Sequence, residues 1–251
     1  GNEFKVCDVD FSNAFNFGGR CFSHESTTDP ENNISYMTIV SALNARGQLA
    51  SYSSFGSNVW VSAFGGEFGV EDPAIVTTDD NGCGQGFSRS NTSYPLDFDR
   101  GRDLLNKNCD YTHRFNGTSS SAPMVSGVAA LLLEKNTSLR PREIKHILAM
   151  TADKINSSDT GRSHPFGMDL SEHIYDPGWV TNGAGVRFHN FYGFGRVNVD
   201  AAVSMASSFV SNLGTSQEIN SEFTETSLKK STGGSIPDNS ATGLSESINV
   251  S

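Results

Sequence analysis

The sequence predicts an α/β protein with a doubly wound, mostly parallel sheet, and three observations carry that expectation. Residues 35–43, Ser-Tyr-Met-Thr-Ile-Val-Ser-Ala-Leu, form a β-branched run that suits a parallel strand buried on both faces. Residues 115–133 give a glycine turn, small hydroxyl residues, and then a helix that is apolar almost all round, as a buried central helix is. Between and after them, strand-like and helix-like segments alternate, the order that builds such a sheet. The 25 glycines and 17 phenylalanines suit a turn-rich α/β protein more than a helical bundle.

In chain order, residues 3–33 read as a long loop with Cys7 and Cys21 at its neck. The strand at 35–43 follows, and Asn44-Ala45-Arg46-Gly47 turns the chain. Ala50-Ser51-Tyr52-Ser53-Ser54-Phe55-Gly56 leads to a short strand around Val59-Trp60-Val61. Ala74–Asp79 is a further strand, and residues 80–112 form an insertion-like loop bracketed by Cys83 and Cys109. After the long helix, residues 139–148 form an amphipathic helix with Pro141 near its start. Residues 191–202 give a glycine turn and a closing helix. Residues 208–235, rich in Ser, Thr, Asn and Gly, read as a linker.

The chain has 251 residues, 28 acidic against 18 basic, and a net charge of −10. That balance argues against nucleic acid as a partner, and no apolar run is long enough to span a membrane. Four cysteines lie in loop-like surroundings without metal-ligand spacing. Bridges Cys7–Cys21 and Cys83–Cys109 would each tie off one loop, although four cysteines allow three pairings and a partner outside the chain stays open. Either way an oxidising, secreted or periplasmic compartment is expected.

The segment that carries chemistry is Gly117-Thr118-Ser119-Ser120-Ser121-Ala122-Pro123. A hydroxyl at the positive N-terminal end of a buried helix is well placed to become a nucleophile, and Pro123 is expected among the opening helical residues. Gly1-Asn2-Glu3 adds a side-chain amide on a glycine turn, which could donate to an oxygen that becomes negative during acyl transfer. Together these blocks resemble the subtilisin-like serine proteases, over roughly residues 1–207. The resemblance implies Ser119 as nucleophile and Asn2 as oxyanion donor. Such proteases run Asp, His, Ser along the chain, and none of His24, His113, His146, His164, His173 and His189 sits in a His-Gly-Thr context. The catalytic Asp and His are therefore expected before Gly1, which makes this the C-terminal half of an enzyme and inactive alone. The own N-terminal half and a peptide or protein substrate are the partners this implies.

Ile75-Val76-Thr77-Thr78-Asp79, residues 131–134 and Tyr192-Gly193-Phe194-Gly195 resemble the kexin/furin-like branch. Residues 236–251 resemble the start of the P domain, the β-sandwich that follows the catalytic domain in proprotein convertases. That branch cuts after basic residues, and Asp29 stands at the spacing of a pocket acid facing an Arg or Lys head. Read by itself, Asp29-Pro30 is equally a turn start. The branch also implies structural calcium. Asp8 and Asp10 are an oxygen-ligand pair, but a site needs about six to eight oxygens. Two other readings stand beside this one: a catalytically inactive subtilase-like binding or structural module, and a sedolisin-type acid protease, against which Asn2 weighs.

Overall fold

A computed structural model describes residues 2, 26–159, 176–211 and 213, and by backbone alone residues 6–7, 21–22, 162–163 and 174–175. Strands β1 (Val6–Cys7) and β2 (Cys21–Phe22) pair antiparallel with Cys7 opposite Cys21. The neck of the expected loop is thus closed in backbone terms, and its side chains lie outside the described residues.

The centre of the fold is the parallel pair β3 (Ile39–Leu43) and β4 (Val59–Phe64). Val40 faces one core with Val61, Ala63 and the helices, while Leu43 joins a second core with Phe55, Phe191 and Tyr192. Burial on both faces is what the unbroken run predicts. The strand begins only at Ile39 because residues 34–37 turn instead. The Met37 N–H donates to the Ile34 carbonyl at 2.9 Å, and Lys145 Nζ takes the Ser35 and Met37 carbonyls at 2.8 Å each. On the far edge of β4, Ser62 N–H donates to Gly195 O (2.9 Å) and Val197 N–H to Ser62 O (3.0 Å), so residues 195–197 run parallel beside it.

Among the described residues the strands pair two by two, with residues 195–197 as a parallel neighbour of β4, so only part of the expected doubly wound, mostly parallel sheet is seen there. The remaining pairs are two-stranded and antiparallel: β5 (Ile75–Thr78) with β6 (Tyr111–Phe115), β7 (Arg162–Ser163) with β8 (Ile174–Asp176), and β9 (Val180–Thr181) with β10 (Arg187–Phe188). Each closes a loop on itself, which antiparallel pairing allows and parallel pairing, needing a crossover, does not.

Three helices cover one face of β3–β4: α1 (Thr118–Lys135), α2 (Pro141–Thr151) and α3 (Val199–Ser208). Their contact layer is Val125, Val128, Leu132, Ile147, Leu148, Ala202 and Ala206. Full burial of an Ile or Leu such as Ile147 or Leu148 contributes about 1.5–3 kcal/mol. Pro141 opens α2, and the Glu143 carboxylate accepts from the Arg140 N–H at 2.7 Å. Asn198 caps α3 by accepting from Ala201 N–H at 3.0 Å. Phe209 still packs on the core, two residues past the expected boundary at 207. Contacts divide the chain into 1–212 and 213–251; the expected P-domain start at 236–251 lies outside the described residues, as does the linker from residue 214.

Helix α1 departs from expectation twice. Buried positions recur every three to four residues (Ser121, Val125, Val128, Leu132), whereas Met124, Leu131 and Leu133 are 40, 45 and 39 % exposed. It is therefore covered on one side and not buried all round, because β3, β4 and α3 all pack against the same face. Pro123 lies a turn inside the helix, beyond the unpartnered opening amides. Having no N–H, it leaves the Ser119 carbonyl without the usual bond four residues on.

The β5–β6 hairpin carries the expected excursion, closed by a Cys83–Cys109 disulfide. Its hub is the fully buried Asp99, which accepts from the Ser88 hydroxyl (2.8 Å), the Thr112 hydroxyl (3.1 Å) and the His113 N–H (3.2 Å). Sequence reading gave no strand at 111–115.

Asp153 ties the chain segment after α2 to the one before α3, pairing with Arg196 at 2.8 Å and accepting from Asn198 at 2.9 Å. These two partners hold its carboxyl below the usual aspartate range. A depressed folded-state value stabilises above the unfolded value, about 3.9, and that stability is lost as pH falls through the folded value. Asp153→Asn is expected to lower the melting temperature at pH 7, with the gap from the parent closing below about pH 4. A thermal melt series across pH checks this, and an undiminished gap at pH 3 contradicts it.

Candidate active site

The N-terminus of α1 is built by three chain segments that are distant in sequence. Gly117, just before the helix, has φ 99° and ψ 170°, a conformation open to glycine and poorly to other residues. A Cβ there would also stand 3.1 Å from Asn2 Nδ2. Gly117 has no side chain with which to cap the opening amides, so the caps come from elsewhere. Asn2 Oδ1 accepts from the Thr118 N–H at 2.7 Å and from the Thr118 hydroxyl at 2.8 Å, across 116 positions of sequence. Tyr52 Oη accepts from the Gly117 N–H at 2.8 Å. The Ser120 N–H turns back to the Gly117 carbonyl at 2.9 Å. Among the described residues no acceptor takes the Ser119 N–H. Ser119 itself is exposed in the first turn, where the helix dipole concentrates positive potential.

Behind the turn, Tyr52 Oη also lies 2.8 Å from the Gly65 carbonyl and 2.7 Å from that of Gly66, to which it donates. Burial pushes its phenol up to about 12; the Gly117 N–H opposes this and the Glu67 carboxylate adds to it. Glu67 is buried and holds Ser51 by its N–H (2.8 Å) and hydroxyl (2.7 Å). The Glu67 carbonyl accepts from Asn116 Nδ2 at 2.9 Å. Segments 51–52, 65–67 and 116–118 are therefore cross-tied by side chains.

Of the residues singled out from sequence, Asn2 and Ser119 come together at this helix end. Asp29 does not join them. It is exposed, and its carboxylate accepts from Glu31 N–H (3.2 Å) and Asn32 Nδ2 (3.3 Å), capping a 3₁₀ turn at Pro30–Asn33. Sequence reading missed Tyr52, Glu67 and Asn116. The signal for Tyr52 was in view, as the aromatic position of the Ala50–Gly56 block, but only folding sets its hydroxyl against Gly117.

The described histidines have other partners. His113 Nδ1 lies 2.6 Å from Asp99, with the ring against Tyr94 and Phe98. The His146 ring meets Phe209. His189 is fully buried, 3.4 Å from Asp159. Among the described residues no three His, Cys, Asp or Glu side chains group as a metal site, and Asp8 and Asp10 lie outside those residues.

Residues 21–195 match the subtilase family, Peptidase S8. The chain belongs to the subtilase family. It is 38 % identical over 192 residues to the extracellular serine protease of Aeromonas sobria, covering 72 % of this chain and 29 % of the relative. It is 35 % identical over 178 residues to the microbial serine proteinase of Aeromonas salmonicida, covering 70 and 28 %. Similarity to Furin-1 of Xenopus laevis spans 106 residues at 33 % identity, covering 42 and 11 %. The crystal structure of the A. sobria protease with its chaperone superposes with a TM-score of 0.69 at 33 % identity, over 84 % of this chain and 36 % of that one. The fold is thus the subtilisin-like α/β fold, and the matched part of the chain spans 29 and 28 % of the length of the two curated Aeromonas relatives.

Proposed function

We propose that the whole protein is a serine endopeptidase in which Ser119 is the nucleophile and Asn2 an oxyanion donor. The observation that carries this reading is the tie between Asn2 and Thr118. Only oxygen can accept from the Thr118 N–H, so the contact fixes which way the amide is turned. The end that remains for a ligand is the NH2 donor, which lies against Gly117, two residues before Ser119. With the Ser119 N–H it offers two donors for an oxygen that becomes negative as the Ser119 hydroxyl adds to a peptide carbonyl. The amine then leaves, and water hydrolyses the acyl-serine.

The base that takes the Ser119 proton is not among the described histidines, each of which has another partner. We assign the base and its orienting acid to a part of the protein that packs on the uncovered face of α1. Beside the exposed Met124, a cleft of about 450 Å³ opens between α1, the end of β4 and the start of α3, lined by Phe64, Val128 and Val199 together with Asp153, Arg196 and Asp200, a mixed apolar and charged surface. An extracytoplasmic location agrees with the Cys83–Cys109 bridge and with the extracellular Aeromonas relative. A preference for basic residues before the cut, with Asp29 as a pocket acid, follows from the kexin/furin-like resemblance. So does structural calcium, and curated relatives in Trichormus variabilis and Nostoc are calcium-dependent proteases. A catalytically inactive module is the alternative reading, and peptide hydrolysis by the parent protein excludes it.

Ser119→Ala in the full-length protein is expected to reduce peptide hydrolysis to background with the thermal melt unchanged; near-normal turnover removes Ser119 from the role. Asn2→Ala should lower kcat about 10²–10³-fold, the value for a subtilisin asparagine and so a relative's magnitude, with KM little changed. A change confined to KM counts against the oxyanion role. Asp29→Asn should erode the advantage of Arg or Lys peptides over neutral ones; equal loss on both makes Asp29 a turn residue.

A further inference from the structure

We propose that Tyr52 is a positioning residue for the reaction, its hydroxyl holding the Gly117–Thr118 turn in register with the strand-end peptides of Gly65 and Gly66. The inference rests on Ser119 being the nucleophile. A phenol hydroxyl has one proton to give and lone pairs to receive. Here it receives the Gly117 N–H and gives its proton to the Gly65 or Gly66 carbonyl. One oxygen atom thus joins the peptide two residues before Ser119 to the end of β4.

Independent features of the same place agree with that function. A Cβ on Gly65 would stand 2.8 Å from Tyr52 Oη and 2.9 Å from the Gly117 carbonyl, so the approach of the two segments needs a residue without a side chain. Glu67 clamps Ser51 through both carboxylate oxygens and fixes the backbone that carries Tyr52. The Phe68 ring meets the Tyr52 ring edge-on at 5.9 Å. From the other side, Asn116 is bound to the Glu67 carbonyl. The residues on both sides of the joint are therefore held independently, and the hydroxyl bridges them. Burial keeps the phenol protonated well beyond neutral pH, so it remains a donor to the carbonyls while it accepts from Gly117.

If the hydroxyl were only a packing device, its loss would lower stability and leave chemistry alone. If it sets the serine turn, its loss lets the Ser119 oxygen and N–H drift from the reacting carbonyl, and misplacement near 1 Å costs about 10²-fold in rate. A hydroxyl that acts only through the serine turn leaves substrate binding alone, so the effect falls on kcat.

The test is Tyr52→Phe in the full-length protein, its rate and the parent's normalised to active sites counted by a fluorophosphonate, beside Ser119→Ala with its rate normalised to folded protein. That normalisation keeps the comparison valid if part of the variant fails to fold. The expected result is a kcat about 10- to 100-fold lower per titrated site, KM within about twofold, and fluorophosphonate labelling slowed in parallel. Normal kcat per site with only a lower melting temperature overturns the proposal and makes Tyr52 structural. A raised KM with unchanged kcat also overturns it, in favour of substrate contact. Retained activity in Ser119→Ala overturns the nucleophile reading and this inference together, whereas an inactive Ser119→Ala with a normal Tyr52→Phe removes the inference alone.

Discussion

The opening amides of α1 cannot be satisfied by the helix itself, and the arrangement around Ser119 follows from how they are satisfied instead. A helix start normally carries its own cap, worth about 1 kcal/mol. Here the capping position is Gly117, which supplies the turn angle but no oxygen. Asn2 and Tyr52 take over, one from each of two remote segments. Local order at the serine is thereby made dependent on tertiary order. The same bonds that complete the helix set the Asn2 NH2 against Gly117 and leave the Ser119 N–H without an acceptor among the described residues.

The packing beneath that end is asymmetric, and the asymmetry bears on function. On one side α1 meets β3, β4 and α3 through Val125, Val128 and Leu132; flanking that side, Met124 and Leu131 are exposed along one edge and Leu133 along the other. A single exposed Leu needs no explanation, but a helix with apolar residues on both sides is built to be covered on both. The histidines described here are engaged elsewhere: His113 with Asp99 in the disulfide-closed excursion, His146 with Phe209, and His189 with Asp159 and the rings of the second core. Under the proposed function the base comes from outside the described residues, and the exposed flanks of α1 are surface available to the segment that carries it.

The excursion between β5 and β6 shows how a region with few apolar core residues is organised. Asp99 is a fully buried carboxylate, and burying such a charge unpaired would cost several kcal/mol. It is surrounded by the Ser88 and Thr112 hydroxyls, the His113 N–H and the His113 ring. With the Cys83–Cys109 bond closing the loop, polar pairing and a covalent link hold this lobe where the hydrophobic core does not reach. His113 is consumed there, although in sequence it is the histidine closest to Ser119.

Local chemistry written in the sequence determined a good part of this protein. The β-branched run ending at Leu43 made a strand buried on both faces, Pro141 and Glu143 marked the start of α2, and Gly117-Thr118-Ser119 marked the start of α1. The cysteine positions bracketed the excursion that Cys83 and Cys109 close. Each of these depends on a propensity, a cap or a spacing within a few residues to a few tens. What only the tertiary structure decided is which side of α1 is covered, how far the strands merge, and which remote groups meet at Gly117. Asn2 was legible because its motif is familiar in kind, but Tyr52 and Glu67 were not, since a tyrosine or glutamate in a loop has no partner until the chain folds. Hydrogen bonds between segments 65 or 116 residues apart leave no periodicity behind, so their geometry had to be seen.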